Sequence, residues 1–471
     1  MYKNTVILTK TVFLCALILD TQAVLCYNQY MIHSFSEGKV MRYERSLYEK
    51  YTVDVFVAGG GPAGIAAAVA AARNGKSVFI AEAQGCFGGL GTAGLVPAFA
   101  PFDDGVNVLA AGIGYEIRKS VSKDVPLKQY WTPIKVEELK RAYDKLITES
   151  GVKFSFFTTV CDVITNGDKV EGVVLHAKSG LFTVKAKIYI DCTGDGDLCA
   201  YAGGTFEKGD ENGSVMPATL CSLWANLDYS KIQGKQDREL ERAINDGIFT
   251  NHDRHLPGFF DVSPADGIGG GNIGHTFGTD PLDERSLTDA MLWARQSLLE
   301  YERYYKEYLC GYDNITLVNT AAMLGVRESR RIKCDYMLNV EDFLERAVFE
   351  DEIGRYCYPI DIHVMNTDEE EYKRFQEEYL KKYRYKKGES YGIPYRSLIP
   401  ESFSNVLVAG RCMGTDRNVQ ASIRVMPGCF ITGQAAGVAA ALATETENVR
   451  KVDIKQLQSK LKQLGAYLPN A

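Results

Sequence analysis

The stretch Asp54-Val55-Phe56-Val57-Ala58-Gly59-Gly60-Gly61-Pro62-Ala63-Gly64 runs an apolar strand into a glycine turn and then into an alanine-rich helical segment, Ile65 to Arg73. A second apolar run, Ser77 to Ala81, ends in the acid Glu82. Strand, glycine loop, helix, strand and acid in this order are the parts of a dinucleotide-binding unit. Gly59 is expected to turn the chain, Gly61 to let the backbone approach a pyrophosphate, and Gly64 to let the helix pack close to its strand. Pro62 and Ala63 open a helix whose first amides are unpaired and carry partial positive charge, so they hold phosphate oxygens. Glu82 is placed to accept hydrogen bonds from a ribose. A tight turn in an ordinary α/β protein is the alternative reading of the glycines.

Working outward, a second glycine cluster follows at Gly85, Gly88, Gly89, Gly91 and Gly94, with Thr92 among them. It is too glycine-rich for a helix and reads as a loop lying against a ligand. Val136, Leu139, Tyr143 and Leu146 recur at helical spacing, and Gly151 ends that segment. From Lys153 short apolar runs alternate with turns at Asn166-Gly167-Asp168 and Ser179-Gly180, the pattern of a β-meander. Its last strand enters Asp191-Cys192-Thr193-Gly194-Asp195-Gly196-Asp197, a return to the nucleotide-binding sheet. Near the other end, Asn405 to Ala409 forms a strand leading into Gly410-Arg411, and Thr432 to Leu442 forms a second alanine-rich helix.

The chain has 471 residues, enough for two or three domains, with 46% apolar and 24% charged residues. The expected boundaries are a targeting segment at 1–26, an extension at 27–51 and a first nucleotide-binding part at 52–201. An inserted substrate domain at 202–400, the C-terminal nucleotide-binding part at 401–450 and a helix or tail at 451–471 complete the division. Within the insertion a long helix is expected from Leu287 to Tyr308. A net charge of −7 without a long basic block argues against nucleic acid as partner. Twelve cysteines contain no Cys-x-x-Cys pair, so neither an iron–sulfur nor a zinc site is expected, and no metal site is assigned. Lys3 and Lys10 precede an apolar run from Thr11 to Leu19, about right for a signal-peptide core and short for a membrane span. Cleavage after Ala23, or a true start at Met31 or Met41, leaves export and cytoplasm both open; no transmembrane span is expected in the mature chain.

Three segments, Gly59 to Gly64 with Glu82, Asp191 to Asp197, and Gly410-Arg411 with Gly433 to Gly437, together resemble the FAD-dependent oxidoreductases. Their FAD domain is similar to those of glutathione reductase and the fumarate reductase flavoproteins, and the nearest branch contains the flavin domain of heterodisulfide reductase. Gly325 to Ile332, Tyr358 to His363 and Ile393 to Leu398 match further motifs of bacterial members. The resemblance implies an α/β fold: a Rossmann-type FAD-binding domain with a β-meander, plus an inserted α+β substrate domain. It implies FAD as cofactor, bordered also by Val160, Thr193, Gly194, Asp195, Gly410 and Arg411. A C-terminal helix pointing its amides at the flavin would bring Gly433 and Gln434 near the ring. The iron–sulfur clusters of heterodisulfide reductase are not carried over.

Such a site needs a clamp for its substrate, since positioning carries much of the rate in hydride transfer. Arg327, Arg331 and Arg396 lie in marked motifs of the expected insertion, and a planar guanidinium suits carboxylates and vicinal oxygens. Ion pairs through Glu328, Asp361 or Asp416 are their alternative role. Arg424, between the flavin strand and the flavin helix, is expected to touch flavin or substrate. His363, with His275 second, is the expected proton partner, because imidazole titrates near neutral pH. Tyr395 could hydrogen-bond substrate or fill the core. Cys86 and Cys429 adjoin flavin motifs, but no two thiols are close enough in sequence for disulfide reduction.

The expected activity is therefore hydride transfer between flavin N5 and a small polar molecule: a hydroxyl-bearing sugar derivative, a hydroxy acid or an unsaturated carboxylate. The electron acceptor is left open. A flavoprotein that passes electrons to a protein partner is the alternative, and a structural FAD a third.

Overall fold

Strand Glu49–Ala58 lies at the centre of a seven-stranded sheet, parallel to Val78–Ala81 on one side and to Gly180–Asp191 on the other. All of Phe56, Val57, Ile80 and Ile190 are fully buried, because helices or chain cover both faces, as continuous apolar runs in parallel strands require. Lys153–Ser155 extends the sheet beyond Val78–Ala81. Gly180–Asp191 is shared between two structures: its first half pairs antiparallel with Lys169–Ala177 and so carries the meander, while Tyr189 to Asp191 pair parallel with Val406–Val408. The meander thus returns directly to the nucleotide-type sheet, and the strand termini at Ala58, Ala81, Asp191 and Val408 end side by side. In sheets of this kind ligands sit beyond the carboxyl ends of the strands.

The computed structural model describes residues 46–471, apart from 123–126, 129–130, 235–236, 256–257 and the side chains of 378–382. The targeting segment expected at 1–26 lies outside the described residues, as does most of the 27–51 extension. Residues 47–471 form one unit.

Helix Pro62–Arg73 is mostly alanine and glycine because it is pressed between the sheet and helix Met426–Ala443. A Cβ on Gly433 would stand 2.1 Å from the Ala63 carbonyl oxygen, and one on Gly437 would stand 2.1 Å from that of Ala67. Both pairs repeat every four residues, so matching small-residue ridges set the close approach of the two helices. Met426–Ala443 is apolar on every side and long enough to cross a membrane, but 94% of it is buried inside the protein, as a core helix. It begins six residues before the expected Thr432, because Pro427 in its first turn starts a helix as readily as it would break one later.

The long helix of the expected insertion runs Glu284–Tyr308, with Asp283 accepting a hydrogen bond from the Ser286 amide at its N-cap. It packs on a four-stranded antiparallel sheet (Phe260–Ser263, Ile268–Gly271, Ser222–Ala225, Thr316–Thr320). The buried residues of their shared core, among them Trp224, Tyr301 and Tyr305, all lie between Ala218 and Leu324, with Leu95 and Val326 packed against it. The stretch from Ile332 to Phe403 joins the main core instead, through side chains such as Leu338, Tyr356 and Ile393. Gly354 shows why: a Cβ there would meet Ile431 of the core helix at 2.4 Å. The second core is therefore narrower than the 202–400 expected from the composition change. Helix Ile454–Gln463 buries Leu457 and Leu461 in the main core, so the last twenty residues are not a free tail.

Candidate active site

The strand ends and the two glycine loops border one cavity that continues under the second core. Gly59 turns out of its strand with φ +88°, and a Cβ there would lie 2.6 Å from the Cys192 carbonyl. Gly61 lines the cavity, caps the first helix with no side-chain bond, and has open space where a Cβ would stand. Gly64 faces away: its Cβ would fall 1.8 Å from the Gly59 carbonyl, so it permits close helix–strand packing. Pro62, Ala63 and Glu82 also line the cavity. The Glu82 carboxylate accepts from the Gly60 and Gln84 amides, each at 2.7 Å, and burial pushes its pKa up.

In the second glycine loop only Gly89 and Leu90 reach the cavity. Gly88 adopts φ +106° and donates its amide to the Gly60 carbonyl at 2.8 Å; Gly91 backs onto the Met426 sulfur; Thr92 donates to the Phe87 carbonyl. These three shape the loop instead of lining it, a correction to the expected contacts. Val160 borders the cavity with its neighbours Thr158 and Thr159, which periodicity alone did not single out.

Thr193, Gly194, Asp195 and Asp197 line the cavity opposite Gly410 and Arg411. Asp191, fully buried, holds this turn by accepting from the Thr193 hydroxyl at 2.8 Å and the Cys199 amide at 2.9 Å. Arg411 joins the central and C-terminal segments, donating to the Gly194 carbonyl at 2.9 Å and pairing with Asp195 at 2.7 Å. Burial, then the neighbouring Asp195 and Asp191 carboxylates, push the Asp197 pKa up to about 6.

Gly433 and Gln434 are not at the cavity. Gly433 packs on Ala63, and Gln434 Oε1 accepts from the Ile113 amide at 2.8 Å, tying down another helix. The earlier helix start puts Val425, Met426 and Cys429 at the cavity in their place, with no side chain capping the helix.

At the inner end stand Arg327, Arg424, Asp361, His363, Tyr358 and Asn272. Arg327 donates from Nη1 to the Pro217 carbonyl at 2.8 Å and the Thr219 hydroxyl at 2.9 Å, and from Nη2 to Asn272 Oδ1 at 3.3 Å. Among the described residues no carboxylate forms an ion pair with it, and burial followed by the Arg424 charge lowers its pKa to about 10. Arg424 donates to the Asp361 carbonyl at 3.0 Å and pairs with its carboxylate at 3.4 Å, while its buried Nε has no partner. Two guanidinium groups and one carboxylate, Asp361, thus line this end of the cavity, while Asp253 lies behind it against His275.

Three expected substrate contacts lie elsewhere. Arg331 is buried against Glu328 at 2.7 Å and the Gly209 carbonyl, which is the alternative ion-pair role. Arg396 is half exposed, paired with Asp351 at 3.0 Å over the Tyr336 ring. Tyr395 is a core residue whose hydroxyl donates to the Val449 carbonyl. His275 and His363 do come together, with Nε2 and Nδ1 2.9 Å apart, and only His363 reaches the cavity. Burial and then Arg327 hold the His363 pKa well below the usual imidazole range. That direction weighs against the titration near neutrality expected of a proton partner. Cys429 is a buried thiol, pushed up to about 12 by burial, and forms no disulfide.

The chain is 27% identical over 259 residues to the thiamine thiazole synthase of Desulfosudis oleivorans, an alignment covering 52% of this chain and 91% of that protein. Among solved structures, a geranylgeranyl bacteriochlorophyll reductase-like protein from Thermoplasma acidophilum aligns at 14% identity over 88% of this chain and 83% of that one, with a TM-score of 0.42. The p-nitrophenol 4-monooxygenase of Pseudomonas putida aligns at 12% identity over 87% and 84%, with a TM-score of 0.40. The sequence profile of the FAD dependent oxidoreductases matches residues 54–461. With that match spanning nearly all the described chain, the protein belongs to the FAD dependent oxidoreductase family and is an enzyme that uses FAD.

Proposed function

We propose that this enzyme oxidises or reduces a small anionic molecule, a hydroxy acid or an unsaturated carboxylate, held by Arg327 and Arg424 at the inner end of the cavity. The observation that carries this reading is that two guanidinium groups line the cavity there, Arg424 with a buried Nε that has no partner and Arg327 buried without a carboxylate ion pair among the described residues. Burying such charge is costly unless a counter-charge arrives, and a planar fork pairs with carboxylate through two parallel bonds. Neutral sugar derivatives would leave that charge uncompensated.

The outer part of the cavity fits FAD. Gly61 leaves open space beside an uncapped helix start, where a pyrophosphate would meet free amides. Met426 and Val425 begin a second uncapped helix on the same cavity. Glu82, Gly89, Val160, Thr193 and Gly410 would complete the cofactor's surroundings. When bound, FAD would supply the redox chemistry by hydride exchange, while the chain orients the substrate and excludes water. Thr219, Cys221, Asn272 and Met323, from the segments that carry the second core, line the inner part of the cavity. That lining favours substrate chemistry over electron transfer to a protein partner, which needs an exposed flavin edge. The electron acceptor is not assigned.

The test is anaerobic bleaching of the purified yellow protein by a panel of hydroxy acids and neutral sugars, with reoxidation of the reduced protein by unsaturated carboxylates. Turnover confined to acids supports the reading. Equal rates with neutral sugars, or no response to any acid, would refute it.

A further inference from the structure

Beside the inner end of the cavity three imidazoles meet: His255, His275 and His363, with one ring nitrogen of each within 4.8 Å of the others. We propose that these three side chains bind one divalent transition-metal ion. The proposal rests on their geometry and stands whether or not the substrate is an anion. Ligands at about 2.0–2.1 Å from a tetrahedral zinc stand roughly 3.3 Å apart, so small ring movements close the site. His275 Nε2 and His363 Nδ1 are already 2.9 Å apart, and the His255 ring packs at 4.6 Å from His363 and 5.3 Å from His275, centre to centre.

Two carboxylates back the rings. Asp253 Oδ2 lies 2.9 Å from His275 Nδ1, in contact though off the line of an ideal hydrogen bond, and Asp361 Oδ1 lies 3.6 Å from His363 Nε2. Metal-bound histidines are commonly held this way, the outer nitrogen directed at an acid and the inner one left to the ion. With outer N–H groups turned to the carboxylates, two lone pairs would face each other across 2.9 Å, and a cation between them removes that repulsion. Asp253 is buried, accepts the His255 amide at 3.0 Å, and among the described residues forms no ion pair with a lysine or arginine, so its second oxygen is directed at the imidazole side. A shared proton is the rival cation. A metal accounts for the third ring as well, since a proton between His275 and His363 requires nothing of His255.

Imidazole and no thiolate suits zinc, iron, cobalt or nickel, and three protein ligands leave positions for water or a substrate oxygen. His363 lies on the cavity wall, so such an oxygen could belong to the molecule held by Arg327 and Arg424. No sequence spacing announces the site, because its ligands come from three separated segments.

Untagged, FAD-loaded protein treated with chelator and then dialysed should take up one equivalent of Co(II) or Zn(II) in calorimetric titration, and the Co(II) form should show visible ligand-field bands. His255→Ala, the least buried of the three, should lower affinity at least tenfold while keeping bound FAD and its circular dichroism. Asp253→Asn should weaken binding by about 10–100-fold. Absence of uptake by the wild-type protein, or unchanged uptake in His255→Ala, would overturn the site and leave the proton as the shared cation. Failure of the acid substrates to bleach FAD would not alter the metal stoichiometry, so the two readings fail separately.

Discussion

Gly433 of the core helix sits directly on Ala63 of the first helix, with room between them for no side-chain carbon: a Cβ would stand 2.1 Å from the Ala63 carbonyl oxygen. Ala63 also lines the cavity, so the helix that borders the nucleotide site is fixed from behind by a glycine. Gly433→Ala should therefore separate the helices and cost about 1–3 kcal/mol, measured as a lower urea midpoint. Gly61→Ala makes the contrast, since its Cβ would meet no protein atom and would point into open space. It should leave the unfolding of the FAD-free protein unchanged and weaken FAD binding.

Arg396 and the pair Arg327 and Arg424 separate in the same way. Arg396→Ala removes a half-exposed ion pair and should change stability by roughly 0–1 kcal/mol, with bleaching rates unaltered. Arg424→Lys loses the planar fork and should raise the KM for an acid substrate on the order of tenfold, equivalent to about 1.4 kcal/mol. Steady-state kinetics with both variants decide whether the clamp is correctly placed.

Glu328 is fully buried and is held by Arg331 at 2.7 Å, by Arg417 at 3.1 Å and by the Met216 amide at 2.9 Å. Its removal leaves two cations facing an empty space, so Glu328→Ala should destabilise by about 3–5 kcal/mol. A denaturation midpoint within experimental error of the wild type would contradict this.

Asp197 gives a pH signature. Its folded-state pKa of about 6 lies above the ordinary 3.8, so the folded protein holds this proton more tightly than the unfolded chain. Its contribution to stability is fully present below about pH 4 and is lost as pH rises through about 6. In Asp197→Asn the group stays neutral, and the fall in Tm of FAD-free protein between those pH values should become shallower. An identical pH profile in the variant would assign the slope to other groups.

Much of the nucleotide half is legible in the chain because its signals are local. A strand, a positive-φ glycine and an acid after the second strand follow each other within about thirty residues, and each obeys a steric rule that any fold must respect. The same holds for the meander, where Asn166-Gly167 and Ser179-Gly180 mark the turns between short apolar runs. The start of the core helix is harder to place because an alanine run is conspicuous and Pro427, which actually opens the helix, reads as a breaker until its position is known.

The inner end is not legible, for a different reason. Arg327, Arg331, Arg396 and Arg424 are chemically identical in one dimension, and only burial and partners distinguish a cavity lining from an ion pair. His255 carries no signal at all, since its neighbours arrive from positions 275 and 363. By itself the sequence determined the βαβ unit, the meander and the family, because backbone sterics and hydrophobic periodicity act between residues close along the chain. Only the tertiary structure decided which charges face the cavity and which imidazoles meet, because electrostatics and coordination act through space and depend on distances that chain order does not set.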